Sequence, residues 1–174
     1  MGVLKGRARK FGDDIDTDTI TPGPTLALPM DELSKHAFEP IQPEFWKSVR
    51  DGDVIVAGRN FGCGSSREQA TAVVKTLGIR IIVCESMARI YFRNCIALGL
   101  YPIMVKGVSA SFEEGEELEV DLEKGHLLNR ANGKRFEFEP LSGVPKRIFD
   151  GGGILPLLKK ILDREEELEH SRKS

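Results

Sequence analysis

Between Val54 and Val105 the chain alternates short apolar runs with helix-like stretches, a rhythm few folds can satisfy. Val54-Ile55-Val56-Ala57 is followed by apolar positions at Ala70, Val73, Val74 and Leu77, the i, i+3, i+4, i+7 spacing of one helix face. Gly78 stops that stretch. Ile79 to Cys84 is an apolar, β-branched strand suited to burial on both faces. Met87 to Leu98 returns to helical spacing through Ala88, Tyr91, Phe92, Cys95 and Ile96, Gly99 ends it, and Tyr101 to Val105 makes a further strand. This βαβαβ order predicts an α/β domain with a mostly parallel or mixed sheet flanked by helices.

The flanking segments add to this core. Lys5 to Phe11 reads as a short polar strand, and Pro29 to Ala37 as a short helix with His36 at its end. Phe45 and Trp46 read as packing residues. Beyond Ser109, Leu118, Val120 and Leu122 alternate with charged residues. Lys124-Gly125 and Asn132-Gly133 are turn signals, and Phe136 and Phe138 alternate again, which predicts a β-meander. After Gly151-Gly152-Gly153, the residues Ile154, Leu157, Leu158, Ile161 and Leu162 form an amphipathic helix with Pro156 in its first turn. We expect one domain over residues 1–162 and a charged, solvated or frayed tail over 163–174.

Several function classes are disfavoured by composition. A net charge of −2 with no evidently basic face argues against nucleic-acid partners. No apolar stretch reaches the ~20 residues of a membrane helix. The N-terminus has neither a secretory apolar region nor the Ser/Thr that myristoylation needs, so the expectation is cytoplasmic. Cys63, Cys84 and Cys95 are odd in number and lack C-x-x-C spacing, so no metal site is expected in this chain. Cys84 and Cys95 read as buried small hydrophobes, and Cys63 as partly exposed.

Two loops carry the chemistry. The first is Asn60-Phe61-Gly62-Cys63-Gly64-Ser65-Ser66-Arg67-Glu68, between the strand at Val54 and the helix after it. Ser65 to Glu68 fits a capping box, with Ser65 as N-cap and Glu68 reaching back. Free amides at a helix start, two hydroxyls and a guanidinium would suit a carboxylate or phosphate. Gly62 and Gly64 would let such a ligand approach the backbone. The run is neither a P-loop nor a dinucleotide fingerprint. The second loop runs from Gly12 to Pro24 and holds four aspartates, Asp13, Asp14, Asp16 and Asp18. An EF-hand starting at Asp14 would need Gly and Glu where Thr19 and Thr25 stand, so calcium is disfavoured. Such like charges need turn hydrogen bonds, solvent or a cation, and Arg67 is one candidate neighbour.

With Asp16-Thr17-Asp18-Thr19-Ile20-Thr21-Pro22-Gly23, Asn60 to Glu68, and Glu85-Ser86-Met87-Ala88-Arg89-Ile90 in this order, the chain resembles the small subunits of 3-isopropylmalate dehydratase, in the aconitase superfamily. The likeness runs from about Lys5 to Leu162. It implies a swivelling β/β/α domain and a hydro-lyase completed by a large subunit that carries a 4Fe–4S cluster, none being bound by this chain. The active unit would be a hetero-oligomer and the isolated chain inactive. By position, Ser65 matches a catalytic base acting as its alkoxide, Ser66 and Arg67 match residues that grip a substrate carboxylate, and Asp18 matches an active-site aspartate that orients or balances charge.

The resemblance also assigns substrate choice to the segment after Pro24. Citrate- and homocitrate-handling relatives place an arginine there, whereas this chain reads Thr25-Leu26-Ala27-Leu28. An unpartnered carboxylate against that wall would cost several kcal/mol, while an isopropyl group would gain roughly 2 kcal/mol on burial. The expectation is isomerisation of 2-isopropylmalate and 3-isopropylmalate in leucine biosynthesis. Thr25 departs from the aromatic residue that many isopropylmalate members carry, which keeps a smaller branched malate open. Homoaconitase or a dimethylmalate hydro-lyase is the alternative, and a stand-alone anion-binding module a third reading.

Overall fold

The computed structural model describes residues 2–173, with side-chain surroundings through residue 168. Seven strands are joined in one mixed sheet. In chain order they are β1 (Leu4–Lys10), β2 (Val54–Ala57), β3 (Ile81–Cys84), β4 (Tyr101–Met104), β5 (Glu117–Asp121), β6 (His126–Asn129) and β7 (Arg135–Glu137). The helices are α1 (Thr17–Ile20), α2 (Met30–Leu33), α3 (Phe45–Ser48), α4 (Gln69–Thr76), α5 (Arg89–Leu98), α6 (Gly143–Asp150) and α7 (Ile154–Lys173). The α/β core and the meander stand where the sequence pattern puts them.

The spatial order is β4-β3-β2-β1-β5-β6-β7. Strand β1 joins two different half-sheets. Its second half, Ala8 to Lys10, runs parallel to β2, and its first half, Leu4 to Arg7, runs antiparallel to β5. The βαβαβ segment supplies the remaining parallel pairs, and the meander the remaining antiparallel ones.

Strands β2 and β3 are buried along their whole length, as an all-apolar strand inside a covered sheet must be. Ile55, Ala57, Ile82 and Cys84 face a core shared with Val73 and Val74 of α4 and Tyr91 and Cys95 of α5. Val54, Val56, Ile81 and Val83 face a second core formed with Leu118, Val120 and Leu127 of the meander and Phe149 of α6. Gly78 and Gly99 stop α4 and α5 with positive φ values of 87° and 77°. His36 closes a short 3₁₀ turn, and Phe45 is buried against Phe11 and Phe38.

A buried charge cluster fastens β1 beside β2. Arg7 holds Asp53 through two nitrogens, at 3.0 and 2.9 Å. Arg9 is itself buried, meets Asp53 at 3.4 Å and Glu114 at 2.7 Å, and lies over the Phe45 ring. Removing one member of such a group leaves an uncompensated charge inside the fold. Asp53→Ala is therefore expected to destabilise the chain by about 3–5 kcal/mol in denaturant unfolding. Removal of the exposed Lys5–Glu119 pair should change stability by less than about 1 kcal/mol.

Helix α7 continues unbroken past residue 162 into the segment expected to be a separate tail. Its Glu, Arg and Lys residues are good helix formers. Ser174 lies outside the described residues. Among the described residues no helix is long and apolar enough to cross a membrane.

Candidate active site

Three loops leave the carboxyl ends of the parallel strands β1, β2 and β3 and converge, the end of such a sheet where ligands characteristically bind. The glycine-rich loop after β2 lies between the other two. Gly62 N–H donates to Ile15 at 2.7 Å and Thr17 N–H to Cys63 at 2.8 Å on one side. On the other, Phe61 N–H donates to Ser86 at 3.0 Å and Ala88 N–H to Phe61 at 2.9 Å. Backbone bonds thus hold the middle of the loop like a short strand on both sides.

Ser65 is clamped by Thr17. The Thr17 side chain is 1% exposed, and its Oγ1 accepts the Ser65 N–H at 3.0 Å while lying 3.1 Å from Ser65 Oγ. An oxygen already accepting the amide proton is well placed to direct its own hydroxyl proton at Ser65 Oγ. The Arg67 N–H approaches Ser65 Oγ at 3.4 Å from the other direction. Ser65 itself is half-buried, between interior and solvent.

Arg67 and Asp18 stand beside it as an ion pair, Nη1 to Oδ1 at 2.6 Å, with Asp18 61% exposed and Arg67 27% exposed. Ser66 is exposed, and its carbonyl accepts from Asn94 of α5 at 3.4 Å. The turn that carries Thr25, Leu26, Ala27 and Leu28 starts close to Asp18, because a Cβ built on Gly23 would lie 3.8 Å from Asp18 Oδ1. Thr25 Oγ1 ties back to the Pro22 carbonyl at 2.7 Å. Leu26 is half-buried, while Ala27 and Leu28 face solvent and are not core residues. The structure therefore gathers Ser65, Arg67, Asp18 and the start of the apolar turn in one place.

All four aspartates of the acidic loop find the relief their charges require. Arg59 forks onto Asp13 at 2.8 and 3.1 Å, and its amide and guanidinium hold that carboxyl below the ordinary range. Asp14 accepts from Asn60 at 2.8 Å. Asp16 caps α1 by accepting the Thr19 N–H at 2.7 Å. Thr19 lowers its pKa, with a smaller pull from Arg67. Asp18 has Arg67.

Two details differ from the sequence reading. Helix α4 begins at Gln69 with Glu68 in the cap position and no side-chain cap bond, so the capping box is not formed. Ser65 and Ser66 precede the helix by about a turn, and the Ser65 amide that Glu68 would have accepted is taken by Thr17. The glycines are also explained differently. Gly62 has φ of 72° and lies against the Tyr91 ring, where a Cβ would collide, and Gly64 has φ of 98° with a Cβ position 3.0 Å from Thr17 Oγ1. Packing and backbone conformation demand them before any ligand does. Thr17 escaped the sequence reading, although it sits inside the quoted Asp16-Thr17-Asp18 run.

The cysteines do not form a cluster site. Cys63 is half-exposed, and burial with the charges of Asp16 and Asp14 pushes its thiol up. Burial raises Cys84 to about 12 and Cys95 well above the ordinary value. Among the described residues no group of three or more His, Cys, Asp or Glu is arranged to hold a metal ion. This donor set does not fit an iron–sulfur cluster, which needs several thiolates together.

Comparison with known proteins follows the same lines. The Aconitase C-terminal domain family matches residues 37–107. The chain is 48% identical over 159 residues to "3-isopropylmalate dehydratase small subunit 1" of Methanopyrus kandleri, an alignment covering 91% of this chain and 94% of that protein. The chain belongs to the 3-isopropylmalate dehydratase small-subunit family. A methanogen homoaconitase small subunit from Methanothermobacter thermautotrophicus is 43% identical, with 93% of this chain and 94% of that protein covered. The crystal structure of 3-isopropylmalate dehydratase from Methanocaldococcus jannaschii superposes with a TM-score of 0.86 at 42% identity, covering 99% of each chain. Membership of this family agrees with the mixed sheet and with the expected fold class.

Thr17→Val should destabilise the chain by about 1–3 kcal/mol, since it leaves the Ser65 amide without its acceptor, and Thr17→Ser should recover most of that loss. Gly62→Ala should cost about 1–3 kcal/mol through the Tyr91 collision and the positive φ. Urea unfolding measures both, and an unchanged midpoint for either variant would contradict the packing described.

Proposed function

We propose that this chain is the small subunit of a hydro-lyase that interconverts 2-isopropylmalate and 3-isopropylmalate, working with a large subunit in the cytoplasm. The Thr17–Ser65 clamp beside Arg67 carries this reading. It supplies a base and a carboxylate grip on a surface open to a partner, within a family whose members bear that name. The 4Fe–4S cluster is assigned to the large subunit, because the thiols here do not suit it.

The role of this chain is to move a proton and hold a diacid. A serine hydroxyl is far too weak an acid to ionise unaided near neutral pH, so its alkoxide needs donors and a nearby positive charge. Thr17 Oγ–H and the Arg67 amide are the donors, and the Arg67 guanidinium adds the charge. Exclusion of water by the partner strengthens all three. Ser65 takes the proton from the carbon next to the hydroxyl-bearing one. As the C–H bond breaks, its electrons form the double bond of isopropylmaleate and the C–O bond breaks, the hydroxyl departing as hydroxide toward the large subunit, so that the proton on Ser65 and the hydroxide together make up the water lost. Addition of hydroxide and return of the proton by Ser65, with the two positions exchanged, completes the isomerisation.

Arg67 grips a substrate carboxylate with Ser66 beside it, and Asp18 holds Arg67 in place at 2.6 Å until the substrate arrives. Ser65 and Arg67 are where geometry concentrates; the exposed Ser66 hydroxyl contributes through the bound substrate. The Thr25–Leu28 turn offers methyl groups and no cation, which favours an isopropyl group over a third carboxylate.

Reconstitution with a cluster-bearing large subunit, read by the absorbance of the unsaturated diacid, tests this. Turnover should require both chains, and Ser65→Ala should lower kcat by about 10²–10⁴-fold without preventing assembly. Normal turnover by that variant would overturn the base assignment. Faster turnover of homoaconitate or dimethylmalate than of isopropylmalate would overturn the substrate. Carboxylate binding by the isolated chain that adding the large subunit leaves unchanged would favour an anion-binding module instead.

A further inference from the structure

Helix α5 starts directly beside the Ser65 loop. The bridge between Phe61 and Met87, and the bond from Ala88 N–H to the Phe61 carbonyl at 2.9 Å, hold its entry against that loop. Further along the helix, Asn94 reaches the Ser66 carbonyl at 3.4 Å. A chain that covers Ser65 and Ser66 therefore also meets the first two turns of α5.

Burial along the helix shows what those turns present. Tyr91, Cys95 and Ile96 are buried, whereas Arg89, Ile90 and Arg93 are exposed, with Ile90 48% open to solvent. Residues four apart stack on one side of a helix, so the outer face carries two rows. Ile90 and Asn94 form the row next to Ser66, and Arg89 and Arg93 form the row beyond it.

The two arginines do nothing for the fold. Neither guanidinium has an anionic or carbonyl partner among the described residues, whereas Arg59 and Arg67 in the neighbouring loop are paired with Asp13 and Asp18. Like charges one turn apart on a helix repel. Both also lie toward the positive end of α5, whose first turn holds no acidic residue and whose cap position makes no side-chain bond. An anionic surface laid over α5 turns each of these penalties into an attraction.

We propose that the Arg89, Ile90 and Arg93 face of α5 docks an acidic strip of the large subunit, with Ile90 as the apolar contact and the arginines as the charged ones. Position identifies the occupant. The site needs a second chain in the proposed function, on which this docking face rests, and the face continues from Ser66 without a break. Because this chain carries a net charge of −2, an acidic surface is drawn to this strip against the overall sign, which sets the orientation of the large subunit over Ser65.

Titration of the full chain with a cluster-bearing large subunit, read by anaerobic sedimentation velocity, tests the docking face. Arg89→Glu with Arg93→Glu should raise the dissociation constant by about tenfold or more, and should flatten the loss of affinity that added salt causes in the parent complex. Arg80→Glu with Arg135→Glu, the same charge change at exposed positions away from this face, should leave the affinity nearly unchanged. Arg89→Gln with Arg93→Gln should weaken assembly yet leave the thermal midpoint of the isolated chain unchanged or higher, because a repulsive pair is removed. At saturating large subunit, these α5 variants should turn over isopropylmalate at the parent rate. Unaltered affinity in the Glu variant, an equal loss in the Arg80 and Arg135 variant, a lowered midpoint in the Gln variant, or a fall in kcat with assembly intact would each overturn the proposal. A parent chain that binds no large subunit would overturn the two-chain reading as well.

Discussion

The site depends on how the Ile15–Thr17 segment is laced to the Gly62–Ser65 segment. Two backbone bonds set the spacing, Gly62 to Ile15 and Thr17 to Cys63, and the Thr17 hydroxyl completes the lacing at Ser65. This arrangement uses the Ser65 amide that Glu68 would have accepted, so the capping box does not form. It also brings Asp18, one residue on from Thr17, across to Arg67. A loop after β1 and a loop after β2 become a single rigid unit, although 48 residues separate Thr17 from Ser65 in sequence.

Much of this was legible in the order of residues. The strand–helix alternation from Val54 to Val105 and the meander turns at Gly125 and Gly133 are local patterns, and local patterns survive folding. The need of four aspartates for relief was also readable, since like charges cannot be crowded without partners, and Arg67 is indeed one of those partners. The hidden part came from long-range contacts. Thr17 looks like an ordinary loop threonine until Ser65 is beside it. Gly62 looks like a concession to a ligand until the Tyr91 ring is seen against it. Helix α6 was masked by Gly143 and Pro145, which suggest a loop, although both sit in its first turn where they are tolerated. The apolar stripe of α7 was correctly read as a helix face, but sequence periodicity does not say whether such a face meets its own chain.

In the proposed function the chemistry is that of half a site. Arg67 and Asp18 neutralise one another in this chain, and in the proposed function it is at Arg67 that a substrate carboxylate takes up the same charge. Burial and acidic neighbours raise the thiols of Cys63, Cys84 and Cys95; in the proposed function this chain brings oxygen and guanidinium groups, and the metal-binding half is assigned to the large subunit.

The central claim is that Thr17 makes Ser65 basic. Its most direct test is the pH dependence of kcat/KM for the reconstituted complex with Thr17→Val. Loss of the hydroxyl donor should raise the pKa of the Ser65 base, moving the acid limb to higher pH while KM changes little, and Thr17→Ser should move it back. A Thr17→Val profile that superimposes on the parent would contradict the account.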